Sequence, residues 1–250
     1  MDAKDGWRSD RSVAQGLLGR LKQHLPAREH GAVDELFRRT SEDELRSRGA
    51  LFELKLLNSL TDESLARVSL NAKPDWFPPS QCEDGKDLDF VLANGLACEL
   101  KSVRVPATNT AYLADHMTET QCRRALHGGI NFGDTAETRM RALLETVEQR
   151  IKDKKLHLAT RPVWLVMEAA PDTDWLRDDP SRLNASWVQL TEHSDVGASE
   201  VRLAVVICGE TMASRVTVLP THGTDDLHQM SLLQQSLRGE VGRPVWLANT

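Results

Sequence analysis

Residues 87–101 read DLDFVLANGLACELK, and the register of this stretch decides the fold of the chain. The runs on either side of Asn94-Gly95 alternate with the two-residue period of a strand. Leu88, Phe90, Leu92 and Leu96, Cys98, Leu100 form one apolar set, and Asp87, Asp89, Val91 and Ala97, Glu99, Lys101 form the other. A slip of one residue turns every side chain to the opposite face, so the turn chooses between two arrangements. A two-residue Asn94-Gly95 turn pairs Leu92 with Ala97 and sets Glu99 opposite Phe90, which mixes the faces. A three-residue loop, Ala93-Asn94-Gly95 with Gly95 at positive φ, pairs Leu92 with Leu96 and Asp89 with Glu99. The second register keeps the apolar residues on one face and predicts Asp89, Glu99 and Lys101 together on the other.

Charges gathered on one sheet face have two readings. One is a solvated hairpin with a cross-strand ion pair. The other is a divalent metal site with a lysine beside it. Mg²⁺ takes a few carboxylate oxygens, keeps waters and completes its shell from phosphate. Such an ion lowers the pKa of a bound water and offsets charge at a scissile phosphate. A neighbouring lysine orients that water or stabilises the negative charge that develops.

An Asp, nine residues, then Glu-x-Lys resembles the core of the PD-(D/E)xK nuclease superfamily, in which an Asp opens the second core strand and Glu-x-Lys lies on the third. The resemblance implies an α/β fold, a mixed central β-sheet flanked by helices. A restriction-endonuclease-like core would span roughly residues 41–170, after an N-terminal helical extension over 1–40. A C-terminal α/β continuation with added strands would follow over 171–250. The resemblance makes Asp89 and Glu99 the metal ligands and gives Lys101 the attacking water. It implies Mg²⁺ as cofactor, with Mn²⁺ as a substitute, and double-stranded DNA as partner, and it leaves a homodimer open. The activity implied is that of a Mg²⁺-dependent DNA endonuclease leaving 5′-phosphate ends, with restriction or phage defence as the first biological expectation and DNA repair as the second. Asp87 shares the face of Asp89 and rivals it for the same role. A literal Pro74-Asp75 lies near Pro78 and Pro79, where a core strand is not expected.

Upstream, Ser41 and Glu44 make a capping box for a helix expected to run to about Ser59. Its second half is apolar nearly all round, as in a buried helix. Glu53 stands there between Phe52 and Leu54, and a buried carboxylate needs a partner or a metal. In the superfamily the helix before the sheet often carries a Glu aimed at the site, and Glu53 is the matching position. An exposed Glu53 paired with a neighbouring Arg or Lys is the alternative, and both stay open.

Residues 1–40 read as two or more helices broken at Pro26 and Gly31, and 65–71 as a first strand. Beyond Lys101 the third strand is expected to run through Val105 and stop at Pro106. Residues 107–135, which include Tyr112 and Asn131-Phe132, read as irregular with a short helix near 114–126. Asp134 with Glu137 caps a helix over about 136–155, with Met140, Leu143, Leu144, Val147 and Ile151 as its apolar face. Arg139, Arg141, Arg150, Lys152, Lys154 and Lys155 lie elsewhere on it. RPVWLVMEAA (161–170) and VRLAVVICG (201–209) read as strands covered on both faces. Weaker strand signals at 215–220 and 243–248 flank a helix near 225–238, and 172–184 reads as an acidic loop or short helix.

The chain has 250 residues, 40% hydrophobic and 27% charged, enough for one domain with an added subdomain. No apolar run is long enough to span a membrane. The N-terminus lacks a signal-peptide core, and Cys82, Cys98, Cys122 and Cys208 show no CxxC spacing, so reduced thiols and a cytoplasmic location are expected. The eight histidines are scattered, and zinc is not expected. A net charge of −6 argues against a general nucleic-acid binder. Residues 119–161 nevertheless hold nine Lys+Arg against six Asp+Glu, directly after the acidic motif. That suits a metal pocket flanked by phosphate contacts, and a solvated helix face explains it equally well. Two other functional classes stay in view. One is a nuclease-fold nucleic-acid-binding or assembly module without catalysis, which the acidic total favours and the intact Asp, Glu and Lys set disfavours. The other is an unrelated α/β domain with an accidental motif.

Overall fold

A computed structural model of the chain describes residues 3–41, 44–81, 85–102, 146–168, 200–209, 211–219, 226–238 and 241–242. Within it the expected hairpin forms between β2 (Leu88–Val91) and β3 (Ala97–Ser102). Phe90 pairs with Cys98 and Val91 with Ala97, which sets Asp89 opposite Glu99 and Leu92 opposite Leu96. The Leu92 N–H donates to the Leu96 carbonyl at 2.8 Å, and Gly95 takes φ +89°. This is the three-residue-loop register, and the left-handed position falls on the one residue without a Cβ. Asn94 fixes the loop from both sides, accepting from the Leu96 N–H at 3.1 Å and donating to Ser236 Oγ at 3.0 Å.

Five further strands extend the sheet among the described residues: β1 (Ser69–Ala72), β4 (Val163–Glu168), β5 (Val201–Cys208), β6 (Ala213–Leu219) and β7 (Val241–Gly242). Their order across the sheet is β1 through β7, as in the sequence. The pairs β1–β2, β2–β3 and β5–β6 are antiparallel, and β3–β4, β4–β5 and β6–β7 are parallel. The result is a mixed α/β sheet.

Helices cover both faces. On one side lie α1 (Ala3–His24), α2 (His30–Arg39) and α3 (Glu44–Ser59), followed by the short α4 (Asp62–Leu65). Leu21, Phe52 and Leu57 from these helices share a core with Phe90, Cys98, Leu100, Trp164 and Val166. On the other side the helix of residues 146–154, α5, lays Val147 and Ile151 against Ala97, Leu165, Met167 and Leu203. The central strands are therefore buried on both faces, which is why VWLVM and VRLAVV are nearly unbroken apolar runs. Leu233 and Leu237, in and just after α6 (Asp226–Ser236), join the first core. Among the described residues no helix is long and apolar enough to cross a membrane.

The structure departs from the sequence expectations in three places. Gly31 lies inside α2 rather than at a break; it is exposed in the first helical turn, where a missing side chain costs little. The first strand starts at Ser69, because Thr61 caps α4 by accepting from the Ser64 N–H and draws Leu65 into helix. Leu88 joins the second core beside Phe77 instead of sharing the core of Phe90, since the Pro-rich loop delivers Phe77 to the start of β2. The readings of 107–135, the Asp134/Glu137 cap, 172–184 and 243–248 lie outside the described residues.

Candidate metal centre

Asp89 and Glu99 reach the site from neighbouring strands. Asp89 Oδ2 accepts the backbone N–H of Leu100 at 2.5 Å, which ties its carboxylate to the strand that carries Glu99. Glu99 is 0% exposed, because β3 is flanked by β2 and β4 and roofed by α5. Lys101 follows on the same side of β3, half-buried and opposite Met167.

Two basic residues enter from α5. Val147 and Ile151 face down into the core, and Arg150 and Lys154 each lie three residues beyond one of them, so they flank the apolar stripe and reach over the sheet. Arg150 Nη2 forms an ion pair with Glu99 Oε1 and donates to the Leu100 carbonyl at 3.4 Å. Lys154 Nζ lies 3.3 Å from Glu99 Oε1 and 3.1 Å from both Asp87 Oδ1 and the Asp87 carbonyl. Glu99 Oε2 is buried without a hydrogen-bond partner among the described residues.

Glu53 approaches from α3. It is half-buried, with Arg39 Nη2 3.5 Å from its Oε1. It also lines a small cavity with Asp89, Leu57, Leu70 and Leu100. An arginine thus pairs with Glu53, and Asp89 lines the same cavity. Asp75 lies in the loop before β2, away from the sheet ladder.

The electrostatics record how crowded these carboxylates are. Burial pushes Glu99 up to about 8, aided by the charge of Asp89 and opposed by Arg150 and Lys154. Burial pushes Glu53 up to about 7, again aided by Asp89 and opposed by Arg39, Arg150 and Lys154. Asp89 is raised by its burial, against the lowering effects of Lys154, the Leu100 N–H and Arg150, and Asp87 raises it further. Burial by itself would lower Lys154, but Glu99, Asp89 and Asp87 together hold it above the usual lysine value. Burial, Asp89 and Glu99 raise the Cys98 thiol, so this cysteine is inert rather than nucleophilic.

Buried carboxylates raised by a neighbouring carboxylate in this way favour a nearby cation. The donor set is all oxygen, and one oxygen of Glu99 is orphaned, which fits a hard ion such as Mg²⁺ or Mn²⁺. Among the described residues no three His, Cys, Asp or Glu side chains converge to encircle an ion. Mg²⁺ does not require that, since it binds through one or two carboxylates and keeps its waters.

Arg150, Lys154 and Arg39 belong to this cluster and are not among the site residues expected from the sequence. The signal for the first two was their i, i+4 spacing beside the Val147/Ile151 stripe. Arg39 had none, because its approach depends on how α2 packs on α3. Compared with known proteins, the chain matches no protein-family model, no curated protein and no solved structure.

Proposed function

We propose that the chain is a Mg²⁺-dependent endonuclease that hydrolyses phosphodiester bonds in double-stranded DNA, built on a restriction-endonuclease-like core. The observation that carries this reading is the hairpin register that sets Asp89 opposite Glu99, with Lys101 two residues further on the same side. Its setting agrees with the resemblance: helix α3, the antiparallel run β1-β2-β3, helix α5, then β4 parallel to β3. In this reading Asp89 and Glu99 hold the ion, and Glu53 assists from the cavity it shares with Asp89. The bound ion would supply an acidified water and offset charge on the phosphate. Lys101 orients the attacking water and stabilises the charge that develops as the water oxygen bonds to phosphorus and the 3′ oxygen leaves. Restriction or phage defence is the first biological setting, DNA repair the second. A cytoplasmic location and a homodimer belong to the same proposal.

The test is incubation of purified protein with supercoiled plasmid and Mg²⁺, with and without EDTA. The expected result is nicked or linear product that EDTA abolishes and that Glu99→Gln fails to form. Binding without cleavage across a broad set of DNA and RNA substrates overturns the enzyme reading.

One observation favours the second reading, a nuclease-fold binding or assembly module without catalysis. Glu99 already faces Arg150 and Lys154, and Glu53 faces Arg39. Structural ion-pair networks perturb carboxylates as catalytic sites do. The two readings separate on metal affinity, which only the enzyme requires.

A further inference from the structure

We propose that Lys154 is a displaceable counter-ion: its ammonium holds the place beside Glu99 that a divalent cation takes, and on metal binding it moves onto the scissile phosphate. This rests on the nuclease reading above and adds to it a residue, on a different element from Lys101, with a role in both metal binding and substrate contact.

The ammonium stands between carboxylates that reach it from the start of β2 and from β3, 3.1 Å from Asp87 Oδ1 and 3.3 Å from Glu99 Oε1. Glu99 has no exposure to water, and its other oxygen has no hydrogen-bond partner among the described residues. An ion bound to Glu99 would lie a few ångströms from Nζ, and two cations that close, shielded from solvent, repel strongly. One of them must leave. Arg150 is the less mobile neighbour, because its guanidinium also donates to the Leu100 carbonyl, an anchor that an ion on Glu99 leaves in place. Lys154 has a flexible four-carbon stem and stands at the end of α5, where Lys155 turns the chain into the left-handed region at φ +55°. Its remaining anchor is Asp87, whose Oδ1 and carbonyl each lie 3.1 Å from Nζ and whose side chain is 40% exposed, so that hold faces the solvent side of the site. With Glu99 taken by the ion, a phosphate brought to the site would compete with Asp87 for the freed ammonium.

Two experiments test this. In Lys154→Met, which keeps the stem and removes the charge, calorimetry with Mn²⁺ should show affinity raised on the order of tenfold. Plasmid cleavage at saturating Mg²⁺ should nevertheless fall strongly, and Lys154→Arg should bind Mn²⁺ as wild type does. Unchanged or weaker Mn²⁺ binding in the Met variant overturns the counter-ion role, and unchanged cleavage overturns the phosphate role. The second experiment needs no variant. Acetylation of Lys154 in the wild-type protein, followed by mass spectrometry, should rise several-fold when Mn²⁺ is added, because the side chain is only 16% exposed beforehand. No change overturns the displacement. Failure of the wild-type protein to bind Mn²⁺ or to cut DNA is a different result, which defeats the nuclease reading and this proposal together.

Discussion

Asp89 stands opposite Glu99 across the β2–β3 hairpin, and its Oδ2 accepts the backbone N–H of Leu100, the residue after Glu99, at 2.5 Å. The acidic partner of Glu99 is thus fixed to the strand that carries Glu99. Burial raises both carboxylates, and the charge of Asp89 raises Glu99 further.

Metal affinity follows first from that pair. Asp89→Ala and Glu99→Ala should each weaken Mn²⁺ binding strongly in calorimetry. Glu99→Ala also strands Arg150 and Lys154 without their shared carboxylate, and removing one partner of a buried pair costs about 3 kcal/mol. Glu99→Gln is the gentler variant for separating binding from stability. Equal affinity in wild type and Glu99→Gln rules out Glu99 as a ligand.

Stability should depend on pH in the absence of metal. Glu99 and Glu53 are raised to about 8 and about 7 from an ordinary value of 4.5, so the folded state binds their protons more tightly than the unfolded chain does. A raised carboxyl contributes stability that is fully present below 4.5 and is lost as pH rises through the folded value. In EDTA the melting temperature should therefore fall between about pH 5 and pH 8, over the window these two shifts define. Added Mg²⁺ should restore most of the loss at the upper end. A flat profile in EDTA shows that the carboxylates are better compensated than their surroundings indicate.

Glu53 yields a separate expectation. Its arginine partner lies 3.5 Å away, a long contact for a half-buried charge. Glu53→Gln should lower cleavage while leaving the melting temperature unchanged or higher, because the substitution relieves a poorly compensated charge. Full activity in this variant reduces Glu53 to a structural partner of Arg39.

The hairpin was legible in the sequence because only one loop length kept the apolar set coherent, and Asn94-Gly95 supplied the residue that tolerates positive φ. The helix ending at Ser59 and the strands around Leu165 and Leu203 were legible from apolar pattern and length. The roof of the site was not. Arg150 and Lys154 look on the sequence like ordinary charges of a solvated helix face, and only the packing of Val147 and Ile151 turns them toward Glu99. Leu88 was misread for a similar reason: strand alternation gives parity, but which core a strand's first residue joins depends on the loop that delivers Phe77. Local signals specify elements and register, while charge pairing between distant elements follows from their packing.

Lys101 distinguishes an enzyme from a binding module. It follows Glu99 by two residues on β3, the placement from which the nuclease reading has it serve the attacking water. An interaction made chiefly in the transition state lowers the rate when removed and leaves ground-state binding nearly intact. Lys101→Ala should therefore keep the fold and most DNA affinity, measured by band shift in Ca²⁺, and lose nearly all plasmid cleavage in Mg²⁺. Both assays belong at one stated salt concentration, because phosphate contacts weaken steeply with salt. A binding module gives the opposite pair of results: wild-type protein that never cuts, and a variant that loses affinity. Lys154→Met differs again, since its cleavage falls while its Mn²⁺ affinity rises, whereas Lys101→Ala should leave Mn²⁺ affinity within about twofold of wild type, below the ~1.4 kcal/mol that a tenfold change represents.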